Sequence, residues 1–316
     1  MILLSLFIIL GLLLLIKGAD WLVEGGSALA KRFRVSDLAI GLTVVSFGTS
    51  APELVVNAFS SFQGNAELVF GNVIGSNLLN LFIILGVTGL IAPLVVKSST
   101  VWKEIPFSFL AIVTLFFLTN DFFLTENHIF SRIDGLILLV LFVIFLIYVY
   151  KQLKSDIAVI NPSAKNYSGF KIWSFIILGL AGLVFGGRLV VNNAVHIATS
   201  LGMSEKLIGL TVVALGTSLP ELATSIVATI KKNTDIAVGN IVGSNIFNIY
   251  LVLPVCSFVS PLTYNQTFNT DMLVLAGGTI FLFIAMFSGM KKKLDRWEAG
   301  LLVLFYLGYM LYMIYK

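Results

Sequence analysis

Gly48-Thr49-Ser50-Ala51-Pro52-Glu53 puts a carboxylate and a proline in the middle of an apolar run, and 168 residues later the chain repeats it as Gly216-Thr217-Ser218-Leu219-Pro220-Glu221. Aligned at that constant offset, residues 36–80 and 204–248 are identical at 20 of 45 positions without a gap. The chain therefore carries an internal duplication. What surrounds the two copies decides their meaning.

Of 316 residues, 58% are hydrophobic and 11% charged, with a mean hydropathy of +1.00. Ordinary soluble domains carry about 25% charged residues. The composition is that of an integral membrane protein, and ten apolar segments follow one another at 2–30, 37–62, 69–95, 104–121, 133–150, 171–200, 205–230, 236–260, 271–289 and 297–315. Each is long enough to cross about 30 Å of hydrocarbon as a helix. Met1 to Ile16 lacks a basic n-region and a small-residue cleavage site, so it is expected to be the first span rather than a removed signal. The lone Cys256 lies in an apolar run and offers neither a disulfide nor a thiolate metal site.

If the segments alternate across the bilayer, the loops after the odd-numbered spans hold 15 Lys and Arg and the other side holds three, while Lys17 and Arg188 fall within spans one and six. Such a bias places the basic face in the cytoplasm and both termini outside it, in a multi-pass cell-membrane protein. The net charge of +4 then sets orientation and gives no reason to expect nucleic acid.

The polar stretch around Pro162 divides the chain into a first five-helix repeat at 1–150, a cytoplasmic linker at 151–170 and a second repeat at 171–316. Five is odd, so the second copy enters from the opposite side. The expected fold is all-α, with ten transmembrane helices as two inverted five-helix repeats and broken helices 2 and 7 at the midplane. This plan recurs in secondary transporters.

Pro52 cannot donate to the carbonyl of Gly48, so span two should break there and leave carbonyls near Ser46 to Gly48 unpaired. Such carbonyls are tolerated at membrane depth only where they line a cavity or bind something. Ser46, Thr49, Ser50, Glu53 and Asn57 share a helix face, as do Ala214, Thr217, Ser218, Glu221 and Ser225. A carboxylate at the bilayer centre costs roughly 2.5 to 3.5 kcal/mol on insertion scales, and Glu53 and Glu221 are the only acids expected so deep.

The following spans begin Gly71-Asn72-Val73-Ile74-Gly75-Ser76-Asn77-Leu78-Leu79-Asn80 and Gly239-Asn240-Ile241-Val242-Gly243-Ser244-Asn245-Ile246-Phe247-Asn248. Asn72, Ser76 and Asn80 form one polar stripe, with Asn240, Ser244 and Asn248 as counterparts, and the glycines of each GxxxG should bring helices close. Carboxylate, hydroxyl, amide and carbonyl oxygens suit Na⁺ and Ca²⁺ rather than softer metals. Two carboxylates balance one Ca²⁺ or two Na⁺, and that competition is what an antiporter requires.

The doubled GTS-x-PE, each followed by GN-x-x-GSN-x-x-N, resembles the two alpha-repeats of the sodium/calcium exchangers of the calcium/cation antiporter superfamily, particularly the compact prokaryotic members. The resemblance implies that Glu53 and Glu221 are acidic ligands shared by Na⁺ and Ca²⁺, assisted by Thr49, Ser50, Ser76, Thr217, Ser218 and Ser244. It also implies backbone carbonyls from Ser46 and Ala214 and side chains from Asn80 and Asn248. Family members with three acids have aspartate where Asn248 stands, and the asparagine is similar to the pattern of animal-type exchangers that do not carry K⁺, which argues against a K⁺-dependent member. The resemblance further implies alternating access by sliding of spans one and six, which carry the glycine pairs Gly25-Gly26 and Gly186-Gly187. No cofactor and no obligate protein partner are expected, and Na⁺ and Ca²⁺ are substrates.

Lys17, Asp20 and Glu24 on span one are expected to pair with one another, because Arg188 stands at the position equivalent to Asp20. His128 falls in a loop, and His196 has no neighbouring metal ligand in sequence. An intramembrane enzyme would need parts that are missing: there is no HExxH, no paired membrane aspartates and no nucleophile elbow. A channel would use similar oxygens, but inverted broken helices favour alternating access. Ca²⁺/H⁺ exchange is the alternative within antiporters, since a buried glutamate can carry a proton.

Overall fold

Aliphatic stretches in a bilayer must satisfy their backbone hydrogen bonds internally, and a helix does so within one segment. The computed structural model describes residues 2–123, 128–155, 167–201, 214–288 and 292–315, and it is almost entirely helical. Its helices are α1 (Ile2–Phe33), α2 (Asp37–Thr49), α3 (Ala51–Phe62), α4 (Ala66–Ile91), α5 (Thr100–Thr119), α6 (Arg132–Ser155), α7 (Gly169–Ser200), α8 (Ala214–Thr217), α9 (Leu219–Ile230), α10 (Thr234–Val259), α11 (Phe268–Ala285) and α12 (Arg296–Tyr315). Two antiparallel ribbons join the connections: β1 (Leu94–Val95) pairs with β4 (Lys293–Leu294), and β2 (Ile129–Phe130) with β3 (Leu262–Thr263).

Among the described residues, seven helices are long and apolar enough to cross a membrane, and the bent pair α2 and α3 makes an eighth. Residues 205–213, the start of the expected seventh span, lie outside the described residues. Helix α6 continues to Ser155, past the expected end at 150, and α1 continues to Phe33. Both extensions carry Lys or Arg, whose long side chains let a helix run on from hydrocarbon into the interface.

The bend between α2 and α3 is 45°. Its cause is local: Pro52 lacks the N–H that would reach back across the break, while proline is well suited to the first turn of a new helix. The connecting Ser50 has φ −84° and ψ 1°, and Ser218, between α8 and α9, has φ −89° and ψ 4°. The same residues 168 positions apart thus adopt the same backbone.

Glycine determines how closely the helices around the break approach. A Cβ on Gly18 would lie 2.7 Å from the carbonyl oxygen of Gly179, and one on Gly186 would lie 2.7 Å from that of Gly11, so α1 and α7 touch backbone to backbone. Likewise α2 crosses α10 where a Cβ on Gly239 would meet the Leu38 carbonyl oxygen at 2.8 Å and one on Gly243 the Ser46 hydroxyl at 2.6 Å. In the first half no described residue makes the expected close approach. Among the described residues Gly71 meets only the Phe268 ring at 3.7 Å, and Gly75 meets nothing within 4 Å. The segment equivalent to the one that packs on Gly239 is 206–211, outside the described residues.

Helices α4 and α10 lie at the centre, with Phe70, Phe82, Ile246 and Tyr250 fully buried, and α5, α6, α11 and α12 pack around them. Burying one such side chain contributes about 1.5–3 kcal/mol where it leaves water. The centre of the molecule is therefore densely packed, and α1 and α7 lie together beside it.

Candidate functional site

Glu53 and Glu221 stand in the first turns of α3 and α9 and are each 1% exposed. Helix N-termini carry partial positive charge and favour carboxylates, whereas the C-terminal ends of α2 and α8 present partial negative charge to a cation. Each break therefore provides both a held anion and a polarised edge.

The two halves interlock at the breaks. The Ser50 hydroxyl donates to Glu221 Oε1 at 3.0 Å, and the Ser244 hydroxyl reaches the same oxygen at 3.5 Å. The Ser218 hydroxyl donates to that of Ser76 at 3.4 Å. Thr49 donates to Asn240 Oδ1 at 2.9 Å, and Asn72 Nδ2 donates to Thr217 Oγ1 at 3.3 Å. These last two contacts join equivalent residues with their roles exchanged between the halves. Asn57 Nδ2 donates to Asn72 Oδ1 at 2.7 Å, and Asn240 Nδ2 to the Ser225 hydroxyl at 3.0 Å, again at equivalent positions.

Farther along α4 and α10, Asn80 Nδ2 donates to Asn245 Oδ1 at 3.0 Å, and Asn248 Nδ2 to Asn77 Oδ1 at 3.2 Å. Asn77 Nδ2 also donates to the Asn245 carbonyl at 3.3 Å. Both Asn80 and Asn248 sit in π-helical turns, Leu79–Ile84 and Asn248–Val252, of the kind that often mark functional sites. Because their amide nitrogens are used for the cross-link, Asn80 Oδ1 and Asn248 Oδ1 remain buried without a donor, as do Glu53 Oε2 and Glu221 Oε2. An unmet buried acceptor costs about 1–3 kcal/mol, more when charged. These four acceptors, two from each half, are oxygen atoms of the kind that a hard cation would satisfy.

Ser46 differs from expectation. Its carbonyl accepts the Ser50 N–H at 2.9 Å and the Thr49 hydroxyl at 3.3 Å, because the chain completes one more turn before the proline interrupts it. Its hydroxyl donates to the Thr43 carbonyl at 3.4 Å. Ala214 begins α8. The expected pairing of Lys17, Asp20 and Glu24 is also corrected: Asp20 is bound by Lys231 at 2.6 Å, with Glu24 3.9 Å from the same Nζ, while the Tyr167 hydroxyl donates to Glu24 at 2.5 Å. Sequence spacing favoured neighbours on one helix, but the end of α9 comes closer. Glu53 and Glu221 are not the only buried acids, contrary to expectation: Glu104 accepts from the Tyr148 hydroxyl and keeps Oε2 without a donor, and Glu298 accepts from the Asp295 N–H, because side chains of neighbouring segments cover them.

Asn77 and Asn245 were not among the expected site residues. They lie one position off the polar stripe, although the repeated Gly-Ser-Asn was a signal for them. Among the described residues, no three His, Cys, Asp or Glu come together in a way that could hold a metal.

The family model described as "Sodium/calcium exchanger protein" matches residues 3–151 and 171–315. The chain belongs to the sodium/calcium exchanger family. The exchanger is 36% identical over 318 residues to the putative antiporter CaxA of Alkalimonas amylolytica, covering 96% of this chain and 97% of that one. It is 28% identical over 348 residues to the sodium/calcium exchanger MaX1 of Methanosarcina acetivorans, covering 98% of each. Its fold matches that of the sodium-calcium exchanger NCX_Mj soaked with Na⁺ and Sr²⁺ at a TM-score of 0.83, with 33% identity and 97% of each chain covered. The NCX_Mj structure soaked with zero Na⁺ and Ca²⁺ gives the same TM-score with 31% identity, covering 99% of this chain and 100% of that one. The exchanger is thus a multi-pass membrane antiporter of Na⁺ and Ca²⁺, and not an enzyme.

Proposed function

We propose that Na⁺ and Ca²⁺ compete for one site at the two helix breaks, with Glu53 and Glu221 as shared acidic ligands. Thr49, Ser50, Ser76, Asn80, Thr217, Ser218, Ser244 and Asn248 complete it. The observation that carries this reading is that Glu53 Oε2, Glu221 Oε2, Asn80 Oδ1 and Asn248 Oδ1, at equivalent positions of the two halves, are among the buried acceptors without donors. The carbonyls of Ser46 and Ala214 belong to the proposed set as well. For Ser46 to serve, the Thr49 hydroxyl must turn from that carbonyl toward the ion.

The exchanger works by alternating access between two inverted five-helix repeats, 1–150 and 171–316, linked through 151–170, with ten crossings and both termini outside the cytoplasm. Two carboxylates accept either one Ca²⁺ or Na⁺ ions of matching charge, so one cargo must leave before the other enters. No cofactor takes part. Helices α1 and α7, packed glycine on glycine, slide as a pair over the densely packed centre. The test is Ca²⁺ uptake into proteoliposomes loaded with Na⁺, K⁺ or a pH gradient. Uptake is expected only with Na⁺ inside; uptake driven by pH and indifferent to Na⁺ would overturn the reading in favour of Ca²⁺/H⁺ exchange.

A further inference from the structure

Arg188 lies twenty residues into the 32-residue α7, a charged and exposed side chain in an otherwise apolar span, where such a residue is rarely without a task. It lines a cavity of about 340 Å³ together with Gly187 and Asn192 of the same helix and Pro52, Thr217 and Pro220 of the two breaks. Thr217 of the proposed ion site is on the wall of that cavity, and Pro52 and Pro220, also on the wall, directly precede Glu53 and Glu221, which do not line it. The residue equivalent to Arg188 in the first half is Asp20, whose charge is neutralised by Lys231 at 2.6 Å. Arg188 has no hydrogen-bond or ion-pair partner among the described residues, and the counterpart of Lys231 is the uncharged Gln63.

We infer that Arg188 is a specificity-determining residue, a fixed positive charge in the ion path that disfavours Ca²⁺ more than Na⁺. A potential at the path changes the local concentration of an ion exponentially in its charge, so the factor for a divalent ion is the square of that for a monovalent one. With low-dielectric walls on either side, the charge is felt along the cavity, and added salt weakens it. The exchanger would thereby keep Ca²⁺ binding loose enough for Na⁺ to displace it.

The inference rests on Glu53 and Glu221 being the shared cation site, and the experiment separates the two. In proteoliposomes at fixed ionic strength, Arg188→Gln is expected to lower the half-saturating Ca²⁺ concentration by about tenfold and that of Na⁺, per ion, by about threefold. Arg188→Lys keeps wild-type values, and Asn192→Lys added to Arg188→Gln moves them back, since residue 192 lines the same cavity one turn along. Raising choline chloride brings the wild type toward Arg188→Gln. Unchanged Ca²⁺ half-saturation, or equal fold-changes for both ions, overturns the charge filter, as does an effect that disappears in vesicles without anionic lipid, which would make Arg188 a lipid anchor. Absence of Na⁺-driven uptake in the wild type would instead overturn the site itself.

Discussion

The two halves of the exchanger agree at the helix breaks and differ on the helices beside them. At the breaks, Ser50 and Ser218 share one backbone geometry, and Thr49–Asn240 is matched by Thr217–Asn72. Beside them, Asp20 of α1 is held by Lys231, and Asn233 Nδ2 adds bonds of 2.8 Å to both the Ser27 hydroxyl and Asp37 Oδ2. The matching position of α7 is Arg188, facing a cavity. The difference teaches where symmetry is required. Under the proposed mechanism a cation takes ligands from both halves, so the breaks must match, whereas the flanks need not, and one holds an ion pair where the other holds an exposed Arg188.

That contrast can be tested by loss of charge at the centre. Glu53→Gln and Glu221→Gln should each reduce Na⁺-driven Ca²⁺ flux more than 100-fold, on the order of 3 kcal/mol or more for one lost charged ligand of a buried ion. Both variants should remain folded, because a neutral amide is easier to hold in a bilayer than a carboxylate. Size-exclusion profiles and radiolabelled Ca²⁺ uptake check the two statements. If only one of them matters, the halves do not share the site.

A smaller effect is expected from glycine. Gly239→Ala forces a Cβ against the Leu38 carbonyl oxygen at 2.8 Å, and should destabilise the protein by about 1–3 kcal/mol, visible as a lower Tm in detergent. Gly75→Ala should be nearly neutral, since nothing among the described residues lies within 4 Å. An equal loss from Gly75→Ala would show that 206–211 packs on α4 as 38–43 packs on α10.

The smallest effect belongs to the ion-paired flank. The Asp20 and Lys231 side chains are each 33% exposed, so their pair contributes about 0–1 kcal/mol. Asp20→Asn should raise amide hydrogen exchange in the turn between α9 and α10 while changing ion half-saturation no more than about fivefold. A loss of transport comparable to that of Glu53→Gln would make Asp20 a ligand and remove the distinction between centre and flank.

Taken alone, the sequence determined the membrane class, the duplication, the two acids and their hydroxyl neighbours. These follow from composition and from periodicity along one helix, which short-range geometry preserves in any fold. Pro52 and Pro220 remove the same backbone donor at equivalent positions, and the helix is interrupted just before each of them. What the tertiary structure decided was which groups meet across segments far apart in the chain. Only the crossing of α4 and α10 brought Asn77 and Asn245 to Asn248 and Asn80, and only the end of α9 supplied Lys231 to Asp20 in place of Lys17. The Ser46 carbonyl was likewise decided in three dimensions, since completion of a turn before Pro52 depends on the 45° bend that packing against α7 and α10 accommodates. Spacing along a helix selects a face; the partner that covers the face is set by packing, where contact distances of a few ångströms join residues more than 150 positions apart.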